Sequence, residues 1–131
     1  MSKTVLFYFL GTDNSLAVAR NIAERLTDAI VVPMLKGNAE AYIDVDTERI
    51  GLIYPIYMNA VPRIVVKFTE RLKCLPGHYV FAVATHGGIP GMAGLHLNKV
   101  LKEQQIALDA YFDIEMINNT PKGVAPKPLM I

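Results

Sequence analysis

Apolar positions divide the chain into short blocks whose period changes from one block to the next. Residues 4–10 are an unbroken apolar and aromatic run that stops at Gly11. Such a run reads as a strand buried on both faces, as in a parallel sheet. Helical spacing then takes over: Leu16, Ala19, Ile22, Ala23 and Leu26 form one stripe, with Arg20, Glu24 and Arg25 largely outside it. Asn14 or Ser15 is placed to cap this helix. A second, β-branched run covers residues 29–34, followed by a polar connection over 36–48 with room for one helical turn. Ile50, Gly51, Leu52, Ile53 and Tyr54 make a third buried strand that ends at Pro55, because proline cannot donate to a ladder.

Pro62 suits the first turn of a second helix, whose stripe is Val61, Ile64, Val65, Phe68 and Leu72. Residues 79–85 are apolar throughout and predict a fourth buried strand. A third helix carries Ala93, Leu97, Val100 and Leu101 on one side. Residues 107–117 alternate in part, Ala110, Phe112, Ile114 and Met116 against Asp109, Asp113 and Glu115, which predicts a fifth strand at a sheet edge. Strands alternating with helices argue an α/β doubly wound parallel sheet with right-handed crossovers. Beyond residue 117 the chain holds Pro121, Pro126 and Pro128, too broken for the helix that would complete a three-layer sandwich.

Composition narrows the function classes. The chain has 131 residues, enough for one domain with one core, and is 52% hydrophobic, which argues against disorder. With 13 basic and 12 acidic residues and no basic run, nothing calls for nucleic acid or an anionic membrane surface. A lone cysteine, Cys74, excludes an internal disulfide, zinc cluster or iron–sulfur cluster and fits a reducing cytoplasmic compartment. Lys3 before the first apolar run imitates a signal peptide, but the run is too short for one.

Three loops leave the C-terminal ends of the predicted strands, where open parallel sheets bind ligands. The first is Gly11, Thr12, Asp13, Asn14 and Ser15; the second is Pro55, Ile56, Tyr57, Met58, Asn59 and Ala60; the third begins Thr85, His86, Gly87 and Gly88. A strand that turns into a helix N-terminus offers backbone N–H groups and a favourable dipole to an anion. The first loop is too short for a Walker A motif, lacks its lysine, and does not carry the three spaced glycines of a dinucleotide fold.

Taken together, Leu10-Gly11-Thr12-Asp13-Asn14-Ser15, Tyr54-Pro55-Ile56-Tyr57 and Thr85-His86-Gly87-Gly88-Ile89-Pro90-Gly91 resemble the flavodoxin family, in the branch often fused to a ferredoxin module. The resemblance covers residues 4–117 and implies a flavodoxin-like three-layer sandwich with a five-stranded parallel sheet in order 2-1-3-4-5, its final helix missing. It implies a domain over 1–120 and a proline-containing tail over 121–131. It further implies a flavoprotein that binds FMN non-covalently for electron transport, alone or within an FMN-dependent oxidoreductase, with no catalytic side chain and no metal. By position, Thr12 to Ser15 would hold the phosphate, residues 55–60 would lie along the isoalloxazine, and Thr85 to Gly88 would close its other side. The implied partner is a redox protein or a fused ferredoxin module. An uncovered sheet face leaves a surface for homodimerisation.

Two positions depart from the family pattern, Ser/Thr-Gly-Thr-Gly-Asn-Ser/Thr. Leu10 replaces a hydroxyl residue, and Asp13 replaces a glycine. Aspartate tolerates the left-handed backbone better than most residues, but its charge opposes a phosphate. These departures favour the competing expectation, a flavodoxin-fold module that has lost flavin and acts in assembly or regulation. The same residues also have plainer readings. Thr12, Asn14 and Ser15 serve equally as turn and cap residues, Tyr57 as a half-buried anchor, and His86 as a solvated loop histidine. Cys74 and the scattered methionines read as packing residues, and Phe7, Phe9, Phe68, Phe81 and Phe112 as core.

Overall fold

The computed structural model describes residues 4–11, 13–35, 39, 42–43, 46–56, 61–72, 77–86, 93–115 and 127–128. The elements follow in the order β1 (Thr4–Tyr8), α1 (Asp13–Glu24), β2 (Ala29–Pro33), β3 (Arg49–Pro55), α2 (Arg63–Thr69), β4 (Tyr79–His86), α3 (Ala93–Glu103), β5 (Ala110–Glu115) and β6 (Lys127–Pro128). The sheet order is β2-β1-β3-β4-β5-β6. The first five strands are parallel, in the expected order 2-1-3-4-5.

The fifth strand is not the outermost one, because β6 pairs antiparallel with it, Ile114 opposite Pro128 and Glu115 opposite Lys127. Alternation in β5 predicts one solvated face, but says nothing about whether its free backbone edge is later covered. Between β2 and β3, among the described residues, the Tyr42 and Ile43 N–H groups donate to the Ala39 carbonyl.

Strand side chains alternate strictly between two cores. On one face Val5 and Phe7, Ile50, Leu52 and Tyr54, and Val80, Ala82 and Ala84 pack under α2 and α3, which contribute Val65, Phe68, Leu97 and Leu101. On the other face Leu6, Ile53, Phe81, Val83 and Ile114 meet Val18 and Ala19 of α1. Among the described residues, α1 is the one helix on that face. The predicted stripe of α2 holds for Val61, Val65, Phe68 and Leu72, but Ile64 is 53% exposed. Ile64 instead faces a groove beside Leu10, Met34 and Leu35.

Close packing explains a glycine in the middle of β3. A Cβ on Gly51 would lie 2.6 Å from the Phe81 ring and 2.7 Å from Leu6 Cδ2. The glycine therefore leaves room for large residues on both flanking strands.

Two buried phenols stand out beneath the C-terminal end of the sheet. The Tyr54 and Tyr111 hydroxyls are buried close to one another without a hydrogen bond of good geometry. Burial pushes Tyr54 well above the ordinary phenol range, with Tyr111 adding to the rise. Burial, followed by the nearby Asp113 charge, raises Tyr111 to about 12. A raised folded-state value favours folding fully below the unfolded value of about 10, and that contribution is lost as pH climbs toward about 12. Tyr111→Phe is therefore expected to flatten the fall in urea midpoint between about pH 10 and 12. Near neutrality the same change should be neutral or stabilising by up to about 1 kcal/mol, because it removes an unsatisfied hydroxyl. A steeper alkaline fall in the variant would contradict the assignment.

Candidate functional site

Three chain segments leave adjacent strands at one edge of the sheet. The Phe9 N–H donates to the Ile53 carbonyl at 2.8 Å, which ties the exit of β1 to β3. The Ile56 N–H donates to the Thr85 carbonyl at 2.8 Å, which ties the exit of β3 to β4. Pro55 and Thr85 are register partners. The loops that follow therefore begin side by side, although up to 75 residues separate them in sequence.

The first loop is packed more tightly than its sequence shows. A Cβ on Gly11 would sit 2.4 Å from the Phe9 ring, so a larger residue there would have to displace that ring. Asp13 is the first residue of α1, and the residues of positive φ among those described are Asp28, Gly77 and Gln105. The backbone tolerance expected of Asp13 is thus not called upon. Asn14 and Ser15 lie inside the first turn and not at its cap, because the helix starts earlier than its apolar stripe. Asn14 is exposed and Ser15 fully buried. Leu10 is 58% exposed, an apolar group standing in solvent beside the loop.

At the second loop the strand ends at Pro55, as expected, and at the third loop it runs one residue further than expected, to His86. Pro55 is the buried last residue of β3, where its missing N–H breaks no further ladder bond. Ile56 is half-buried. Thr85 is buried within β4, and His86 is the last residue of that strand, not a solvated loop residue. Its Nε2 lies 3.1 Å from Asp113 Oδ1 on β5, with the two side chains 8% and 20% exposed. Thr12, Tyr57, Met58, Asn59, Ala60, Gly87 and Gly88 lie outside the described residues.

Sequence reasoning missed Asp113 as a partner. Its residues sit on the same side of the sheet as Tyr54 and Ala84, since Ala84 and Asp113 are register partners. The available signal was the alternation that sets Asp113 apart from Phe112 and Ile114. That pattern identifies the opposite face but not the histidine waiting there. Together, the strand edge offers a helix N-terminus, two strand exits and a histidine held by a carboxylate. Backbone donors at such an edge can bind an anionic head group, and the apolar strand ends can receive a flat ring.

No helix among the described residues is long and apolar enough to cross a membrane. No protein-family model matches the chain, and no curated protein matches it by sequence. Solved structures do match. The apo form of an NADH:FMN oxidoreductase aligns over 87% of this chain and 74% of its own, with 13% identity and a TM-score of 0.57. A protein from Bacteroides eggerthii proposed to be a flavoprotein aligns over 92% of this chain and 91% of its own, with 19% identity and a TM-score of 0.59. With five parallel strands in order 2-1-3-4-5 and helices on both faces, the chain has the α/β flavodoxin-like fold.

Proposed function

We propose that the chain binds FMN non-covalently at this strand edge and serves as an electron-transfer domain. The observation that carries the reading is the placement of the three loop origins on adjacent parallel strands beside the N-terminus of α1. Both solved neighbours are described as flavin proteins, which supports the same cofactor here. The first-turn N–H groups of α1 suit a phosphate, whereas the fully buried Ser15 side chain is not presented to it; the strand ends at Pro55, Ile56, Thr85 and His86 lie where the ring would be received. FMN would supply the redox chemistry, while the chain binds, orients and shields it.

His86 has a defined part in this reading. Asp113 fixes the orientation of its ring, so the imidazole stays at the strand exit in a set pose. The chain is nearly neutral, with a net charge of +1, so a redox partner or fused ferredoxin module would be found by shape or tethering more than by long-range steering.

Titration with FMN tests the proposal. Bound flavin should lose fluorescence and show shifted visible bands on addition of the protein. Unchanged spectra at tens of micromolar FMN would overturn it.

A further inference from the structure

A concave site lies beside the exits of β1 and β2, with a volume of about 740 Å³. This falls within the range of about 300–1,000 Å³ usual for small-molecule sites. Its floor is Met34 and Phe68, both almost fully buried. Its walls are Leu10, Leu35 and Ile64, which are 58%, 46% and 53% exposed. Five large hydrophobic side chains are exposed among the described residues, and three of them line this one groove. Scattered exposed apolar residues need no explanation, but a cluster around a concavity points to something that covers it.

The rim carries charge of one predominant sign. Arg63, Lys67 and Arg71 follow one another at intervals of four residues along α2 and the turn after it, with Glu70 as the single acid of the lining. Four residues of helix advance about 6 Å, so the three cations form a row along one side of the groove. No ion pair involves them among the described residues. Apolar walls below a row of cations match a ligand that is apolar at one end and anionic at the other.

We propose that this groove binds a small amphipathic anion, an acyl chain or fused ring bearing one carboxylate or phosphate head. The apolar body lies against Leu10, Leu35 and Ile64, and the head meets Arg63, Lys67 and Arg71. A second copy of the chain is a poorer occupant, because a two-fold contact through this face would bring the cation rows together. The site is distinct from the proposed flavin site and does not depend on it, although Leu10 borders both.

Calorimetric titration with laurate, below its micelle concentration and at physiological ionic strength, reads the proposal without any flavin. One equivalent should bind, and Lys67→Glu and Ile64→Glu should each weaken binding about tenfold or more, with unchanged circular dichroism. Dodecyl phosphate set beside laurate distinguishes the two head groups, and binding of either supports the site. Dodecyltrimethylammonium should bind at least about tenfold more weakly. Equal affinity of wild type and Lys67→Glu for laurate would overturn the proposal, as would competitive displacement by FMN or burial of the groove in a dimer seen by sedimentation.

Discussion

Phe7→Ala is expected to lower stability by about 3–5 kcal/mol, the usual cost of truncating a fully buried aromatic ring. Phe7 is 0% exposed and lies on β1, between Val32 of β2 and Leu52 of β3. Its ring centroid is 5.0 Å from that of Phe68, at an interplanar angle of 54°. Part of the loss, about 0.5–1.5 kcal/mol, belongs to this tilted ring pair and would be shared with Phe68→Ala in a double-mutant cycle. The remainder is lost burial and the cavity left between sheet and helix. For a domain of this size the melting temperature should fall by roughly 10–20 °C. Ile64→Ala, one turn earlier on the same helix but largely exposed, should stay within about 0.5 kcal/mol of the wild type. Similar melting temperatures for wild type and Phe7→Ala would mean that α2 does not pack on β1 as described. The effect reaches function because β1 delivers the Gly11 loop and α2 forms one side of the cationic groove.

Asp13→Asn is expected to tighten FMN binding about tenfold or more, a gain of about 1.4 kcal/mol. Asp13 opens α1, where the proposed phosphate would sit. Two unit charges 5 Å apart at an effective dielectric constant of about 20 repel by about 3 kcal/mol, and water at a loop lowers this. The substitution removes charge while keeping the side chain's size. It should also cost the helix about 0.3–1 kcal/mol, since an acid near a helix N-terminus favours the dipole. Affinity and stability are therefore expected to move in opposite directions, an outcome that general damage to the loop would not produce. Fluorescence titration gives the first and urea unfolding the second. Unchanged affinity would show that the carboxylate does not face the phosphate.

The conserved geometry of an α/β sheet made much of this chain readable in advance. Buried strands declare themselves as apolar runs because both of their faces are covered, and residues 4–8, 50–54 and 79–85 needed no tertiary information. Helical stripes likewise follow from local spacing, as Ala19, Val65, Phe68, Leu97 and Leu101 confirm by their burial, although Val18, outside the expected stripe of the first helix, is buried as well. The strand order came from the resemblance of three loops, not from periodicity, since period alone does not say which strand lies beside which.

What tertiary structure decided is of another kind. Gly51 is explained by what a Cβ would strike, Phe81 and Leu6 on the two flanking strands. His86 became a buried, paired residue because β5 brings Asp113 across from a position 27 residues away. Lys127 and Pro128 became a strand because β5 had an open edge to pair with. The groove arose where the flank of α2 met the ends of β1 and β2, which sequence separates by about 30 residues or more. Local interactions act over one turn or one pleat, so the sequence by itself determined the elements and their buried faces. Contacts between elements depend on how strands are ordered and where each helix packs on the sheet. Those choices placed the histidine, the cation row and the exposed leucines.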